Sequence, residues 1–329
     1  MRLRGRTFAI GLLATLALAA CGSGGDDKGS TSSANAGGLE KTTISVSTSA
    51  IADHSALYIA QKRGFFKEVG LTVKTEITPS TAATIPRLMN GSLDVAALAY
   101  FSIFSSQEAK AGDWRVVADA YQAGPDVIDL VVPKDSPIKT VKDLEGKRVS
   151  IASRNSVGEL AVGATLKTAG LDPAKSVQWV GMAFPEMPAK LLAGEIDAAW
   201  LPEPFLTNIQ RESGARVLAD TMSGALADFP IAGWAATSDW TKKYPKTMAA
   251  FQRAILKGQQ VAASDRKAVE GVLPDYTAIK PDVAGVMKLG VFPTSLNATR
   301  LQRVADTMQE YGFLKGKLDV APLLVPLPQ

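Results

Sequence analysis

One phrase occurs twice in this 329-residue chain, 103 residues apart. The first copy is Arg87-Leu88-Met89-Asn90-Gly91-Ser92-Leu93-Asp94-Val95-Ala96, and the second is Lys190-Leu191-Leu192-Ala193-Gly194-Glu195-Ile196-Asp197-Ala198-Ala199. Each reads base, two large apolars, glycine, spacer, aliphatic, aspartate and small apolars. An internal echo of this kind restricts the fold to two similar units. Two α/β units facing each other leave a cleft, a usual place for a small molecule. The surroundings repeat as well. Thr43–Ser49 alternates as a strand, a polar loop leads to a helix from Ala56, Gly70-Leu71 breaks it, and Leu71–Ile77 is the next strand. Arg148–Ala152, the loop Ser153–Ser156, a helix over Val157–Thr168, Gly170-Leu171 and the strand Val177–Val180 restate that plan. Asp53 or Ser55 is positioned to cap the first helix, and Ser156 with Glu159 suggests a capping box on the second.

The phrase itself reads as scaffold. Gly91 and Gly194 are helix stops, where a left-handed residue suits glycine, and buried strands follow. Asp94 and Asp197 then stand at the strand entrances, where a carboxylate binds local backbone N–H groups. Ligands of open α/β sheets gather at the other end, beyond the strands' carboxyl termini.

The N-terminal end bears on location. Arg2, Arg4 and Arg6 precede a run from Phe8 to Ala19 that is apolar except for Gly11 and Thr15. It is short of the ~20 residues that span a bilayer and suits a signal segment, residues 1–20. Leu18-Ala19-Ala20-Cys21 resembles a bacterial lipobox, which implies that Cys21 is lipidated. Cys21 is the only cysteine, so no intrachain disulfide can form. Residues 21–40 read as the lipidated cysteine and a flexible Gly/Ser-rich tether. No other stretch is long and apolar enough to cross a membrane, so the lipid is the expected anchor. The formal charge of +4 includes three arginines of the signal segment, leaving +1. With no concentrated basic patch, nucleic-acid binding is not indicated.

The remainder suits two lobes of ~100–150 residues, with residues 41–125 and 236–329 in lobe 1 and 126–235 in lobe 2. Crossings are expected near Ala118–Val132 and near Asp228–Thr237, with Ile231–Ala236 extended. Helix-spaced apolars over Lys246–Ala263, Pro281–Leu289 and Ala298–Tyr311 would return to cover lobe 1.

Three segments resemble one family. They are Leu57-Tyr58-Ile59-Ala60-Gln61-Lys62-Arg63-Gly64-Phe65-Phe66 with Val69–Val73, Asp135–Ile138 with Asp143–Val149, and Gly194–Trp200 with Glu203-Pro204-Phe205. They are similar to the nitrate/sulfonate/taurine-type solute-binding proteins of ABC transporters, a superfamily that includes pyrimidine-precursor binders. The resemblance implies an α/β periplasmic-binding-protein fold of type II, with two hinge crossings and a cleft between lobes. It implies a monomeric, extracytoplasmic protein that delivers solute to a permease, with hydrolysis in partner ATPases. No Gly-x-x-x-x-Gly-Lys loop occurs here.

Strand ends and helix starts select the candidate ligand residues. Lobe 1 offers Ser49, Asp53, His54, Ser80, Thr81 and Tyr100; lobe 2 offers Ser153, Arg154, Asn155, Ser156, Glu186, Trp200 and Glu203. His54, the only histidine, is either a ligand contact or a capping residue, and with no partner His or Cys it gives no metal site. Arg154 at a helix N-terminus suits an anion or is a solvated loop residue. Ser80 and Thr81 are helix caps that an oxyanion could share. Tyr100 and Trp200 either wall the site or pack in the core. Glu186, Asp53 and Glu203 favour an amine or pyrimidine. The combination suggests a sulfonate-like or zwitterionic solute such as taurine, with a pyrimidine or thiamine precursor or nitrate as alternatives. No cofactor is expected. An enzyme related to pyrimidine synthesis, or a ligand sensor, is the competing class.

Overall fold

The computed structural model describes residues 38–78 and 81–328. The signal segment, Cys21, the tether through residue 37, and Ser80 lie outside the described residues. Among the described residues no helix is long and apolar enough to cross a membrane.

The first half of the chain runs β1 (Thr43–Thr48), α1 (Ser55–Lys62), α2 (Phe65–Glu68), β2 (Thr72–Ile77), α3 (Thr81–Met89), β3 (Val95–Ala99), α4 (Tyr100–Glu108) and β4 (Trp114–Gln122). Then come β5 (Ile128–Val132), β6 (Arg148–Ile151), α5 (Val157–Thr168), β7 (Gln178–Gly181), α6 (Met187–Leu192), β8 (Ala198–Pro202), α7 (Phe205–Ser213) and β9 (Arg216–Asp220). The chain closes with β10 (Pro230–Thr237), α8 (Ser238–Lys243), α9 (Pro245–Ser264), α10 (Arg266–Glu270), α11 (Pro281–Ala284) and α12 (Ala298–Glu310).

Two five-stranded sheets result, ordered β2-β1-β3-β10-β4 and β7-β6-β8-β5-β9. They correspond strand for strand. In each, the first three strands are parallel and the fourth is antiparallel to both neighbours. Val46 pairs with Val95 as Val149 pairs with Ala198, each residue shifted by the 103 of the sequence echo.

The fourth strands are exchanged. The edge strand β4 leads through residues 123–127 to β5 in the middle of the second sheet, and the edge strand β9 leads through 221–229 to β10 in the middle of the first. This moves the lobe boundary expected at residue 235. Ile231–Ala236 is an integral strand of the first sheet, with Trp234 opposite Ala97 of β3 and Ala118 of β4. The sequence hides this because β5 and β10 are buried along almost their whole length and lack the apolar/polar alternation of a half-exposed strand, the pattern of any strand covered on both faces. The helix expected over Pro281–Leu289 is also shorter, ending at Ala284.

The echoed phrase holds the two sheets in the same way. Gly91 (φ 76°) and Gly194 (φ 70°) occupy the left-handed region that ends a helix without a Cβ clash. Three residues on, Asp94 accepts the backbone N–H of Ser45 (2.8 Å) and Asp197 that of Arg148 (2.8 Å), both 49 residues earlier. The backbone N–H groups of Asp94 and Asp197 return a bond to the same two residues' carbonyls (2.9 Å each). Each aspartate thus pins β3 to β1, or β8 to β6, at the end remote from the cleft. Lys41 Nζ (2.6 Å) and Trp240 Nε1 (2.7 Å) complete the shell of Asp94, and the Arg148 guanidinium that of Asp197. The long helix α9 packs on α1 and β4. Its buried Gln252 and Gln259 donate to the carbonyls of Val117 (2.8 Å) and Asp119 (2.9 Å).

Candidate functional site

The facing ends of the two sheets enclose a cleft of about 400 Å³. Both lobes line it at equivalent places. Ala97 and Ala99 of β3 correspond to Trp200 and Pro202 of β8 under the 103-residue shift, and all four face the cleft. Ile128 and Ile231, at the start of the exchanged strands, form part of the wall beside the crossings.

The lobe 2 wall is aromatic. Phe184 lies between Trp200 (ring centroids 6.0 Å) and Phe205 (6.2 Å). The Trp200 indole packs against Gly158, where a Cβ would stand 2.8 Å from the ring. Its Nε1 donates to Thr221 Oγ1 (2.9 Å), which donates to the Ile128 carbonyl (2.8 Å), so the indole is tied to the crossing at 221–229 and to the first residue of β5, where the other crossing ends. Ser153 and Ser156 line the cleft beside it, with Ser156 Oγ donating to the Ser153 carbonyl (2.7 Å) and accepting the Glu159 N–H that caps α5.

The lobe 1 wall carries the ionisable groups. Ser49, Asp53, His54 and Thr81 all line the cleft. His54 Nδ1 stands 2.9 Å from the Ser49 backbone nitrogen and 3.2 Å from its carbonyl oxygen, so the ring is tied to that loop in either tautomer. Burial pushes its pKa down to about 4 against the opposing pull of this contact, leaving a neutral ring near pH 7. Burial pushes the Asp53 carboxyl up to about 7, opposed by its own backbone N–H. Neither Asp53 nor Ser55 caps α1, whose N-cap residue is His54. Among the described lining residues none is a lysine or an arginine.

Other expected contacts lie elsewhere. Arg154, 57% exposed, pairs with Glu159 (2.6 Å) and lies over the Trp179 ring (5.6 Å). Glu159 also accepts the Asn155 N–H (2.6 Å), so the acid of the expected capping box gathers both loop residues away from the cleft. Tyr100 is fully buried, its ring against Gly233 of β10, where a Cβ would meet the hydroxyl at 2.7 Å. Of the two aromatics expected either to wall the site or to pack in the core, Trp200 lines the cleft and Tyr100 packs in the core. Under the repeat's shift Tyr100 corresponds to Glu203, and both lie one residue past the strand, outside the lining. Glu186 is exposed at the turn before α6.

Glu203 is buried and structural. Its carboxylate accepts Thr207 N–H (3.0 Å) and Oγ1–H (2.6 Å) at the start of α7 and the Lys288 N–H (3.1 Å) from the opposite lobe. Its carbonyl accepts the Ala52 N–H (3.2 Å), and Arg211 pairs with Asp282 (2.9 Å) nearby, so one side of the cleft is joined across the lobes.

Sequence reading passed over Phe205, Phe184, Ile128 and Ile231 as contacts. The two phenylalanines stand in loops already selected or adjoining them. The two isoleucines carry no local signal, because only the strand exchange brings them to the cleft.

Comparison with known proteins agrees with this architecture. Residues 37–272 match the model of the NMT1-like family. The taurine-binding periplasmic protein of Escherichia coli (strain K12) is 26% identical over 200 residues, which are 60% of this chain and 59% of that protein. The alkanesulfonate-binding protein SsuA of Xanthomonas axonopodis pv. citri, bound to MOPS, superimposes with a TM-score of 0.74 at 18% identity, covering 87% of this chain and 99% of that one. The desulfurization enzyme DszB shares the fold at a TM-score of 0.66 and 16% identity, over 87% of this chain and 97% of its own. The fold is thus that of the periplasmic binding proteins, and by itself it does not separate binding from catalysis.

Proposed function

This chain belongs to the NMT1-like family, and from that premise we propose that it is the extracytoplasmic solute-binding component of an ABC importer. It captures a small organic solute between its lobes and presents it to a membrane permease whose partner subunits hydrolyse ATP. The observation that carries this reading is the cleft itself, about 400 Å³ between two matched sheets and walled by both. The crossings at 123–127 and 221–229 are the places for a hinge. Cys21 is the proposed lipid anchor at the membrane's outer face.

The lining favours binding over chemistry. His54 Nδ1 is engaged by the Ser49 backbone and not by a hydroxyl, and the described lining residues include no cysteine and no lysine to carry a cofactor aldehyde. The volume and the three rings of lobe 2 favour a solute with a flat or apolar body over bare nitrate. Of the groups that favour a sulfonate, Arg154 is engaged by Glu159 and His54 is neutral, which leaves the helix ends. An oxyanion would rest on hydroxyls such as those of Thr81 and Ser153 and on the adjoining helix starts.

The test is a thermal and calorimetric screen of the purified protein against sulfonates, taurine, nitrate, aromatic amines and pyrimidines. A true ligand at 100 times its Kd adds roughly 2.7 kcal/mol of stability. Turnover of a bound compound, or failure to retain any solute from a small-molecule extract, would overturn the assignment.

A further inference from the structure

Asp53 is the one acid among the described lining residues, and the structure leaves it without a counter-charge. It is 3% exposed. Among the described residues nothing but its own backbone N–H is bonded to its carboxylate. The loop around it gives it no other role: the N-cap of α1 is His54, the counterpart of Ser156 at the start of α5, and Asp53 caps nothing.

The groups around it offer no positive charge. The adjacent His54 is neutral and tied to Ser49. Tyr121 of β4 and Tyr276, which follows α10, both feel the Asp53 charge, and Glu203 of the other lobe adds to the negative field at Tyr121. The Tyr121 hydroxyl accepts the Gly290 N–H (2.5 Å), and that of Tyr276 is bonded to Ser55 (2.9 Å) and the Ile51 carbonyl (3.0 Å). A buried carboxylate facing a cavity without a partner is costly, and a ligand that supplied the partner would recover that cost. Across the cleft, Trp200, Phe184 and Phe205 present rings that attract both apolar bodies and cations.

We propose that Asp53 is the specificity-determining counter-charge for a ligand carrying a cationic nitrogen, such as an ammonium, an amidinium or a protonated N-heterocycle, on a flat apolar body that lies against the lobe 2 rings. This rests on the solute-capture reading and names its substrate class. A zwitterion satisfies it through its ammonium end; a purely anionic sulfonate does not.

The experiment is titration calorimetry of the purified protein with 2-phenylethylammonium, benzamidinium and 4-aminopyridinium, against benzenesulfonate and ethanesulfonate. The variants are Asp53→Asn and Asp53→Ser, with melting temperatures checked first. The expected result is binding of at least one nitrogen cation and a loss of about tenfold or more in both variants, as for a charge-assisted hydrogen bond. Affinity should also rise with pH through about 7, because the empty site's carboxyl gives up its proton there and the cation needs the charged form. Sulfonate binding without cation binding, cation binding indifferent to both substitutions, or binding of none of the five probes overturns the proposal. Solute capture is judged separately, by whether the wild type retains any compound from a small-molecule extract.

Discussion

Asp129 lies in β5, directly opposite Asp220 of β9. It is 1% exposed, and among the described residues neither carboxyl oxygen has a hydrogen-bond partner. Burial, reinforced by Asp220, Asp126 and Glu203, pushes its pKa up to about 8 from 3.8. An acid whose pKa is raised on folding binds more protons in the folded chain than in the unfolded one. Its contribution is therefore fully present below about pH 4 and is lost as pH rises through about 8. At about 1.4 kcal/mol per pKa unit, the accumulated loss is on the order of 5 kcal/mol once ionisation is complete. Asp129→Asn keeps the shape and removes the titration. Its stability advantage over wild type should be near zero at pH 4, grow by about 1.4 kcal/mol per pH unit, and level off above pH 8. Urea unfolding followed by tryptophan fluorescence at pH 5, 6, 7, 8 and 9 measures this difference. Asp53 and His54 also titrate on folding, but their contributions are common to both proteins and cancel. A difference independent of pH, or a variant less stable than wild type at pH 8, would refute the reasoning.

Two further substitutions probe the scaffold and the cleft wall. Asp94→Ala removes a carboxylate that is 4% exposed and shared by Lys41, Ser45 and Trp240, whereas Asp197→Ala removes one that is 27% exposed. The first should cost about 3–5 kcal/mol and the second about 1–2 kcal/mol, so equal losses in urea unfolding would contradict the burial argument. Gly158→Ala places a methyl 2.8 Å from the Trp200 ring, which must shift at a cost of about 1–3 kcal/mol. Its fluorescence spectrum should move with the indole, and unchanged stability and spectrum would show that the wall yields freely.

What the sequence revealed was whatever short-range rules decide. Gly91, Gly194, Asp94 and Asp197 could be placed because a helix stop followed by a strand entrance is a local event. The cap of Ser156 on α5 was legible for the same reason. What escaped depended on distant partners or on one residue of register. Ile231–Ala236 looks the same whether it bridges two lobes or completes the first sheet, since its neighbours β3 and β4 are more than a hundred residues away. Tyr100 and Trp200 both sit near strand ends, but side chains alternate along a strand, and the comparison was three residues out of phase. Arg154 shares a loop with Ser153 and Ser156, yet Glu159, one helical turn into α5, claims it.

The two halves repeat their scaffold and differ at the surfaces that face each other. Strand order, exchanged strands and aspartate pins recur with the same spacing, so none of them can tell a ligand which way to lie. Orientation must come from the equivalent positions where the copies part: Ala97 against Trp200, and His54 against Ser156 at the two helix starts, with Asp53 beside His54. In each pair one lobe is small or polar where the other is bulky or differently charged. The aromatic side is joined through Thr221 to the crossing at 221–229 and to the start of β5, while the acidic side is joined through Ala52 and Glu203 to the opposite lobe. A solute that touches both walls therefore touches both parts whose relative position changes when a hinge at the crossings moves. That gives ligand binding a differential contact through which it can bias lobe closure, and the bias originates in the asymmetric residues alone.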